Sequence, residues 1–158
     1  MSKKNIRQLS LMGIIAALYV VLCLALAPIS YVGIQFRVSE ILLVLPFYNK
    51  KYCVSLILGT FIANIFSPMP LDMLFGTFAT VLVCLIIILV KNKIIIAPAA
   101  AVINGIIVGI ELNYAFGEPL LLSMATVAIG EFVVVLIGVL AFTGIEKVNR
   151  KFIDMIKE

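Results

Sequence analysis

The sequence predicts an all-α integral membrane protein with six transmembrane helices, the second of them short, and with both termini in the cytoplasm. Three observations predict it. Of its 158 residues 64% are apolar and 13% charged, and the mean hydropathy is +1.25, well outside the range of ordinary soluble domains. The apolar residues gather in runs separated by short polar or Pro-rich breaks. The twelve Lys and Arg are Lys3, Lys4, Arg7, Arg37, Lys50, Lys51, Lys91, Lys93, Lys147, Arg150, Lys151 and Lys157. Threading six segments from an inner N-terminus leaves every one of them inside except Arg37, the asymmetry that the positive-inside rule describes.

The first predicted helix, residues 9–27, is about 28 Å long at 1.5 Å per residue, enough to cross a hydrocarbon core. It follows Lys3, Lys4 and Arg7 and closes on Ala25-Leu26-Ala27, as a secretory leader does. The run is longer than a leader's apolar core, and Pro28 would follow the cut, so the segment reads as a retained helix. The loop that follows is turn-rich but apolar and is expected to fold back into the protein.

The second helix, 38–48, is only about 16 Å long and needs longer neighbours around it. Asn49-Lys50-Lys51 makes the inner turn. The third helix, 52–66, stops at Ser67-Pro68-Met69-Pro70, because proline lacks the N–H that a helix interior needs. The fourth, 72–90, opens on Asp72, a charge suited to a helix N-terminus. Lys91-Asn92-Lys93 is the next inner turn. The fifth, 94–113, carries Pro98 in its early turns, and the sixth, 120–145, leads into a charged tail. No repeat, linker or low-complexity tract divides the chain, so 1–158 reads as one membrane domain.

Several function classes are excluded or disfavoured. The net charge of +4 comes from clusters at the ends of apolar runs, where topology explains them, and no nucleic-acid partner is expected. Cys23, Cys53 and Cys84 are widely spaced in apolar sequence and there is no His, so they read as packing residues, with no metal site and no cofactor. The phosphate-binding GxxxxGK[ST] loop, CxxC and HExxH are absent. No nucleophile, base and orienting group can be assembled, so the chain does not read as an enzyme. Uphill transport would need an ion gradient or another subunit.

Acids within membrane segments are costly and require a partner, a cavity or a function. Glu40 falls near the outer end of the second helix, Asp72 opens the fourth, Glu111 closes the fifth, and Glu118 lies in the adjoining outer loop. Glu131 lies about 16 Å below the outer end of the sixth helix, near mid-bilayer, and is the most expensive of them. Asn104 lies two turns from Glu111 on the same face, and Asn64 occupies the last turn of the third helix. Arg37 and Glu40, three apart, share a face and can pair. Five acids against one base favour a donor-rich or cationic ligand over an anion. Gly13 and Ala17 (with Ala16 adjacent), Gly59 and Ala63, and Gly105 and Gly109 form small-xxx-small spacings that permit close helix approach.

The run Ala27-Pro28-Ile29-Ser30-Tyr31-Val32-Gly33-Ile34-Gln35-Phe36-Arg37-Val38-Ser39-Glu40, followed by Leu45-Pro46, Ile62-Ala63-Asn64-Ile65-Phe66-Ser67-Pro68 and Ala128-Ile129-Gly130-Glu131, resembles the queuosine-precursor transporter (QueT) family. These are S components, the substrate-binding subunits of energy-coupling factor (ECF) transporters. The resemblance extends over essentially the whole chain. It implies an S-component-like bundle in a prokaryotic plasma membrane that captures its ligand outside and topples to release it inside. The power would come from a transmembrane T component and two ATPase subunits. Docking would use Gly13, Ala16 and Ala17, with Gly13 replacing the first Ala of the usual AxxxA face.

The implied ligands are 7-deazaguanine bases, queuine or queuosine. A guanine-like edge presents adjacent N–H and NH2 donors to one carboxylate, and its carbonyl needs a donor. The resemblance therefore assigns Glu131 or Glu40 to the donor edge; Gln35, Arg37 or Asn64 to the carbonyl and ring acceptors; and Phe36 or Tyr114 to stacking. Glu111 or Asp72 would meet an aminomethyl ammonium, with Asn104 in the same polar set. The alternatives are an S component for another vitamin-like solute, or a stand-alone carrier for cations or protons.

Overall fold

The computed structural model describes residues 3–26, 36–67 and 69–157, and every regular element among them is helical. Helix α1 is Lys3–Ala25 and α2 is Val38–Tyr48. Helices α3, Tyr52–Ile65, and α4, Asp72–Leu89, follow. A single 3-10 turn, Lys93–Ile95, leads into α5, Ile96–Phe116. Helix α6 is Leu120–Val148 and α7 is Arg150–Lys157.

Four of these helices are long and apolar enough to cross a membrane: the spans Asn5–Ala25, Asp72–Leu89, Lys93–Phe116 and Leu120–Val148. Helices α2 and α3 are shorter. The 29 residues of α6 reach about 43 Å, more than a hydrocarbon core of about 30 Å, so its charged final turns extend past the apolar zone.

The packing order is a closed ring in which α1 contacts α3, α3 contacts α4, α4 contacts α5, α5 contacts α6, and α2 fills the remaining place between α6 and α1. The α5–α6 pairing is the most extensive. Small residues make these approaches possible. A Cβ on Gly59 would meet Tyr19 Cβ at 2.9 Å, and one on Gly109 would meet Met124 Cγ at 2.6 Å. The small-xxx-small pairs of α3 and α5 are thus spent on internal packing. Gly13 is different, since a Cβ there would meet nothing within 4 Å.

Helix α2 departs from the α-helix expected for it. Val38–Val44 is a 3-10 helix, and only Leu45–Tyr48 is α-helical. Pro46, near the start of the α-helical part, has no N–H to donate back into the preceding turn, so the α ladder cannot continue through it. A 3-10 helix rises about 2.0 Å per residue against 1.5 Å for α, so this element reaches further with few residues. Its i and i+3 side chains eclipse, which puts Glu40 and Leu43 in one buried row. Gly138 of α6 lets α2 sit close, for a Cβ there would lie 2.6 Å from the Ile41 carbonyl oxygen.

Both ends of the chain are more helical than expected. Helix α1 begins six residues before the apolar run because Lys3, Lys4, Arg7 and Gln8 are good helix formers that hydropathy alone ignores. The tail read as merely charged is α7, whose Ile153 and Ile156 are buried while Lys151, Asp154 and Lys157 are exposed. The Tyr52 hydroxyl donates to the Ile156 carbonyl at 2.8 Å. Nearby, Lys93 Nζ and Glu146 Oε2 pair at 2.5 Å.

Burial is inverted relative to a water-soluble bundle. Leu121 is 82% exposed and Leu89 79%, whereas Arg37, Glu40, Asp72, Glu111 and Glu131 are all buried. In water this arrangement would expose apolar surface and hide charge; in lipid the outward side chains match their solvent.

Candidate binding site

The polar side chains collect at the end of the ring remote from both chain termini, and α2 brings in the central one. Arg37 stands just before the 3-10 helix with non-helical backbone, φ −74° and ψ 83°. Its Nη2 donates to Asn64 Oδ1 at 2.9 Å and lies 3.4 Å from Asp72 Oδ2. Asn64 Nδ2 in turn donates to the Asp72 carbonyl at 2.8 Å. The Ser67 hydroxyl donates to Asp72 Oδ2 at 2.6 Å and accepts from the Met69 amide at 3.1 Å. The α3–α4 turn is thus closed by the same residues that hold the guanidinium.

Gly76, one turn into α4, lies against this cluster. A Cβ there would come 2.7 Å from Asn64 Nδ2 and 3.0 Å from Arg37 Nη1. Only hydrogen at this position lets the α4 backbone pass the guanidinium.

The other acids surround Arg37. Glu40 accepts a hydrogen bond from the Tyr19 hydroxyl of α1. Glu131 Oε1 accepts from Asn104 Nδ2 at 3.1 Å, and the same amide nitrogen donates to the Ala100 carbonyl at 3.1 Å. Glu131 lies within electrostatic reach of Glu40 and Arg37, and Glu111 within reach of Asp72 and Arg37. Four carboxylates therefore face one guanidinium, a formal balance of −3 when all are ionised. The sequence expectation of a paired Arg37 and Glu40 is replaced by an Arg37–Asp72 ion pair, with Glu40 held by Tyr19.

Several polar atoms in this cluster are buried without a hydrogen-bond partner among the described residues. They are Arg37 Nε and Nη1, Glu40 Oε2, Asp72 Oδ1 and both oxygens of Glu111. Each such atom costs about 1–3 kcal/mol, more when charged. A site left with both donors and acceptors unmet can exchange hydrogen bonds with a small polar molecule in both senses.

Not every residue singled out in the sequence joins the cluster. Tyr114 is 80% exposed at the end of α5, beyond the packed part of that helix. Glu118 is exposed, and its Oε2 accepts from the Ser123 hydroxyl at 3.0 Å, which ties the α5–α6 loop to α6. Phe36 is half-buried next to Arg37, and Gln35 lies outside the described residues together with the rest of 27–35 and Pro68. On α1, Gly13 and Ala17 are exposed and Ala16 is half-buried, its carbonyl turned towards Gly59.

Tyr19, Ser67 and Gly76 were not foreseen as site residues. A lone tyrosine or glycine in an apolar helix carries no signal of its own, and of the three only Ser67, beside the prolines, carries a turn signal. The three cysteines are buried.

Apolar helices that turn their hydrophobic side chains outward and enclose carboxylates and a guanidinium define a multi-pass membrane protein with an internal polar site. The family model described as QueT transporter matches residues 9–147. A curated protein of Lactococcus lactis subsp. cremoris (strain MG1363), "Queuosine precursor transporter QueT", is 32% identical over 154 residues, covering 87% of this chain and 91% of that protein. The chain belongs to the QueT transporter family. No solved structure matches it.

Proposed function

We propose that this chain is the substrate-binding S component of an ECF-type importer of queuosine precursors in a prokaryotic plasma membrane. On this reading six segments cross or enter the bilayer, both termini are cytoplasmic, and the polar cluster opens towards the outside. The distribution of Lys and Arg supports that orientation, since it puts eleven of the twelve cations at the terminal end or in the inner turns and leaves Arg37 at the opposite end. The ligand is a 7-deazaguanine base, queuine or queuosine.

The observation that carries this reading is the buried cluster itself, in which Arg37 nitrogens and carboxylate oxygens both have no hydrogen-bond partner among the described residues. A guanine-like heterocycle offers acceptors to the first and donors to the second. With no phosphate-binding loop in the chain, transport energy comes from two ATPase subunits through a T component. The exposed Gly13 and Ala17 of α1 form the docking face, with Ala16 at its edge.

Calorimetric titration of the purified chain with 7-aminomethyl-7-deazaguanine, with guanine and riboflavin as controls, tests the ligand. Tight binding of the deazaguanine alone is expected. Binding of riboflavin instead would point to an S component for another vitamin-like solute. Uptake by cells lacking the ATPase subunits would point to a stand-alone carrier.

A further inference from the structure

We propose that Cys53 of α3 and Cys84 of α4 form a redox site, a thiol pair that a small hydroperoxide converts to a disulfide across the seam between the two helices. The pair stands on its own contacts, whatever ligand the chain carries.

The seam brings the two sulfurs together. Helices α3 and α4 run antiparallel and approach closely through small side chains. At one end a Cβ on Gly76 would lie 2.7 Å from Asn64 Nδ2, and in the middle the Thr80 hydroxyl donates to the Thr60 hydroxyl at 3.3 Å. Cys53 and Cys84 make the next rung. The Cys53 thiol donates to the Cys84 carbonyl at 4.0 Å, and the two side chains are in hydrogen-bond contact with each other. They lie 31 residues apart in sequence, so spacing reads them as separate packing residues and only the antiparallel register pairs them.

The two thiols are not equivalent. Cys53 is the second residue of α3, and Lys50, just ahead of that helix, is within its electrostatic reach. A helix N-terminus and a neighbouring cation are the surroundings in which a cysteine acts as a nucleophile. Cys84 lies inside α4, more than a turn before its end, in the place of a resolving thiol. Cys23 is equally buried but belongs to α1 and lies within electrostatic reach of Arg37. Asn64, which binds Arg37, is about 16 Å further along α3 than Cys53, so Cys23 is an internal control.

The Cys53 sulfur attacks one peroxide oxygen and the O–O bond breaks. The departing oxygen takes up the thiol proton and leaves as an alcohol or water, with Cys53 as the sulfenic acid. The Cys84 sulfur then attacks the Cys53 sulfur, the S–O bond breaks, and water leaves with the Cys84 proton. The two thiols have given up two electrons and two protons, and the peroxide has taken them. The disulfide ties α3 to α4 at the end remote from Arg37, where Asn64 and Asp72 already join the same helices. On the orientation proposed above this end faces the cytoplasm, whose thiol reductants restore the pair.

The full chain in lipid nanodiscs is treated with hydrogen peroxide, alkylated and mapped by mass spectrometry, with Cys53→Ser and Cys84→Ser alongside. The natural chain is expected to lose two of its three thiols, to yield a Cys53–Cys84 cross-linked peptide, and to recover both thiols with dithiothreitol. Its Tm is expected to hold or rise on cross-linking, because a bond that fits the folded geometry restricts only the unfolded chain. Cys53→Ser carries the same methionines and controls for their oxidation. Cys84→Ser is expected to accumulate a sulfenic acid at Cys53, trapped by dimedone, whereas Cys53→Ser leaves Cys84 unmodified at the same dose.

Three intact thiols, or a cross-link that includes Cys23, would overturn the site. So would a Tm that falls on cross-linking in the natural chain but not in peroxide-treated Cys53→Ser, since the sulfurs would then have been forced together. Modification of Cys84 in Cys53→Ser with no product at Cys53 in Cys84→Ser would overturn the order of attack. Should either variant fail to fold, the cross-link map of the natural chain decides.

Discussion

Arg37 and Asp72 meet 3.4 Å apart at the mouth of two different helices, and both are also bound to the side chain of Asn64. Three helices therefore share one hydrogen-bonded node, since Arg37 stands at the entry to α2, α3 carries Asn64 and α4 carries Asp72. On the function proposed above the node joins stability to binding, because the guanidinium that ties the helices together keeps two nitrogens without a partner among the described residues.

Replacing Arg37 should damage both properties. Arg37→Ala leaves Asp72 buried without its ion pair, which costs about 3–5 kcal/mol. Arg37→Lys keeps the charge but loses the planar fork, so it is expected to fold with a lower Tm and to bind deazaguanine at least about 10-fold more weakly. Thermal unfolding in detergent with and without ligand separates the two effects, and an unchanged ligand-induced Tm shift in Arg37→Lys would remove Arg37 from the site.

Gly76 should tolerate no side chain. The added Cβ of Gly76→Ala would press on Asn64 and Arg37, and overpacking of this kind costs about 1–3 kcal/mol. Gly144, where a Cβ would meet nothing within 4 Å, is the matched control, and Gly144→Ala is expected to leave the Tm unchanged or slightly raised. Equal Tm values for the two variants would contradict the packing of α4 on the Arg37 node.

Asn104 holds Glu131. Asn104→Leu removes the donor at 3.1 Å and leaves the carboxylate oxygen unsatisfied, at a cost of about 1–3 kcal/mol. Removing both polar groups in Asn104→Leu with Glu131→Leu should recover part of that loss. A double-mutant cycle on Tm or denaturation midpoint gives the coupling, and additive effects would show that the two groups do not act as a pair.

The α1 face offers a test that separates docking from binding. Gly13→Trp adds bulk where a Cβ meets no neighbour, so ligand affinity and Tm are expected to stay as they are. Uptake in cells containing the T component and ATPases is expected to fall by at least an order of magnitude, because a flat small-residue face no longer fits its partner helix. Normal uptake by Gly13→Trp would move the docking surface elsewhere.

Hydropathy and charge placement, both readable one residue at a time, sufficed for the all-helical membrane class and for the list of polar residues that lipid would not tolerate without a reason. Asp72, Glu111, Asn104 and Glu131 were legible because an ionisable or amide group inside an apolar run is costly wherever the chain goes. Their partners were not legible. Arg37 was expected opposite Glu40, three residues away, and instead pairs with Asp72 because its non-helical backbone, just ahead of the 3-10 path of α2, carries the guanidinium to Asn64 and Asp72. Tyr19 and Gly76 gained their roles only when α1 and α4 packed against that path. Tyr114, aromatic and near the polar set in sequence, was left outside because α5 ends beyond its neighbours. Which side chains meet depends on how distant helices interlock, and that packing energy is a property of pairs of elements that no local pattern contains.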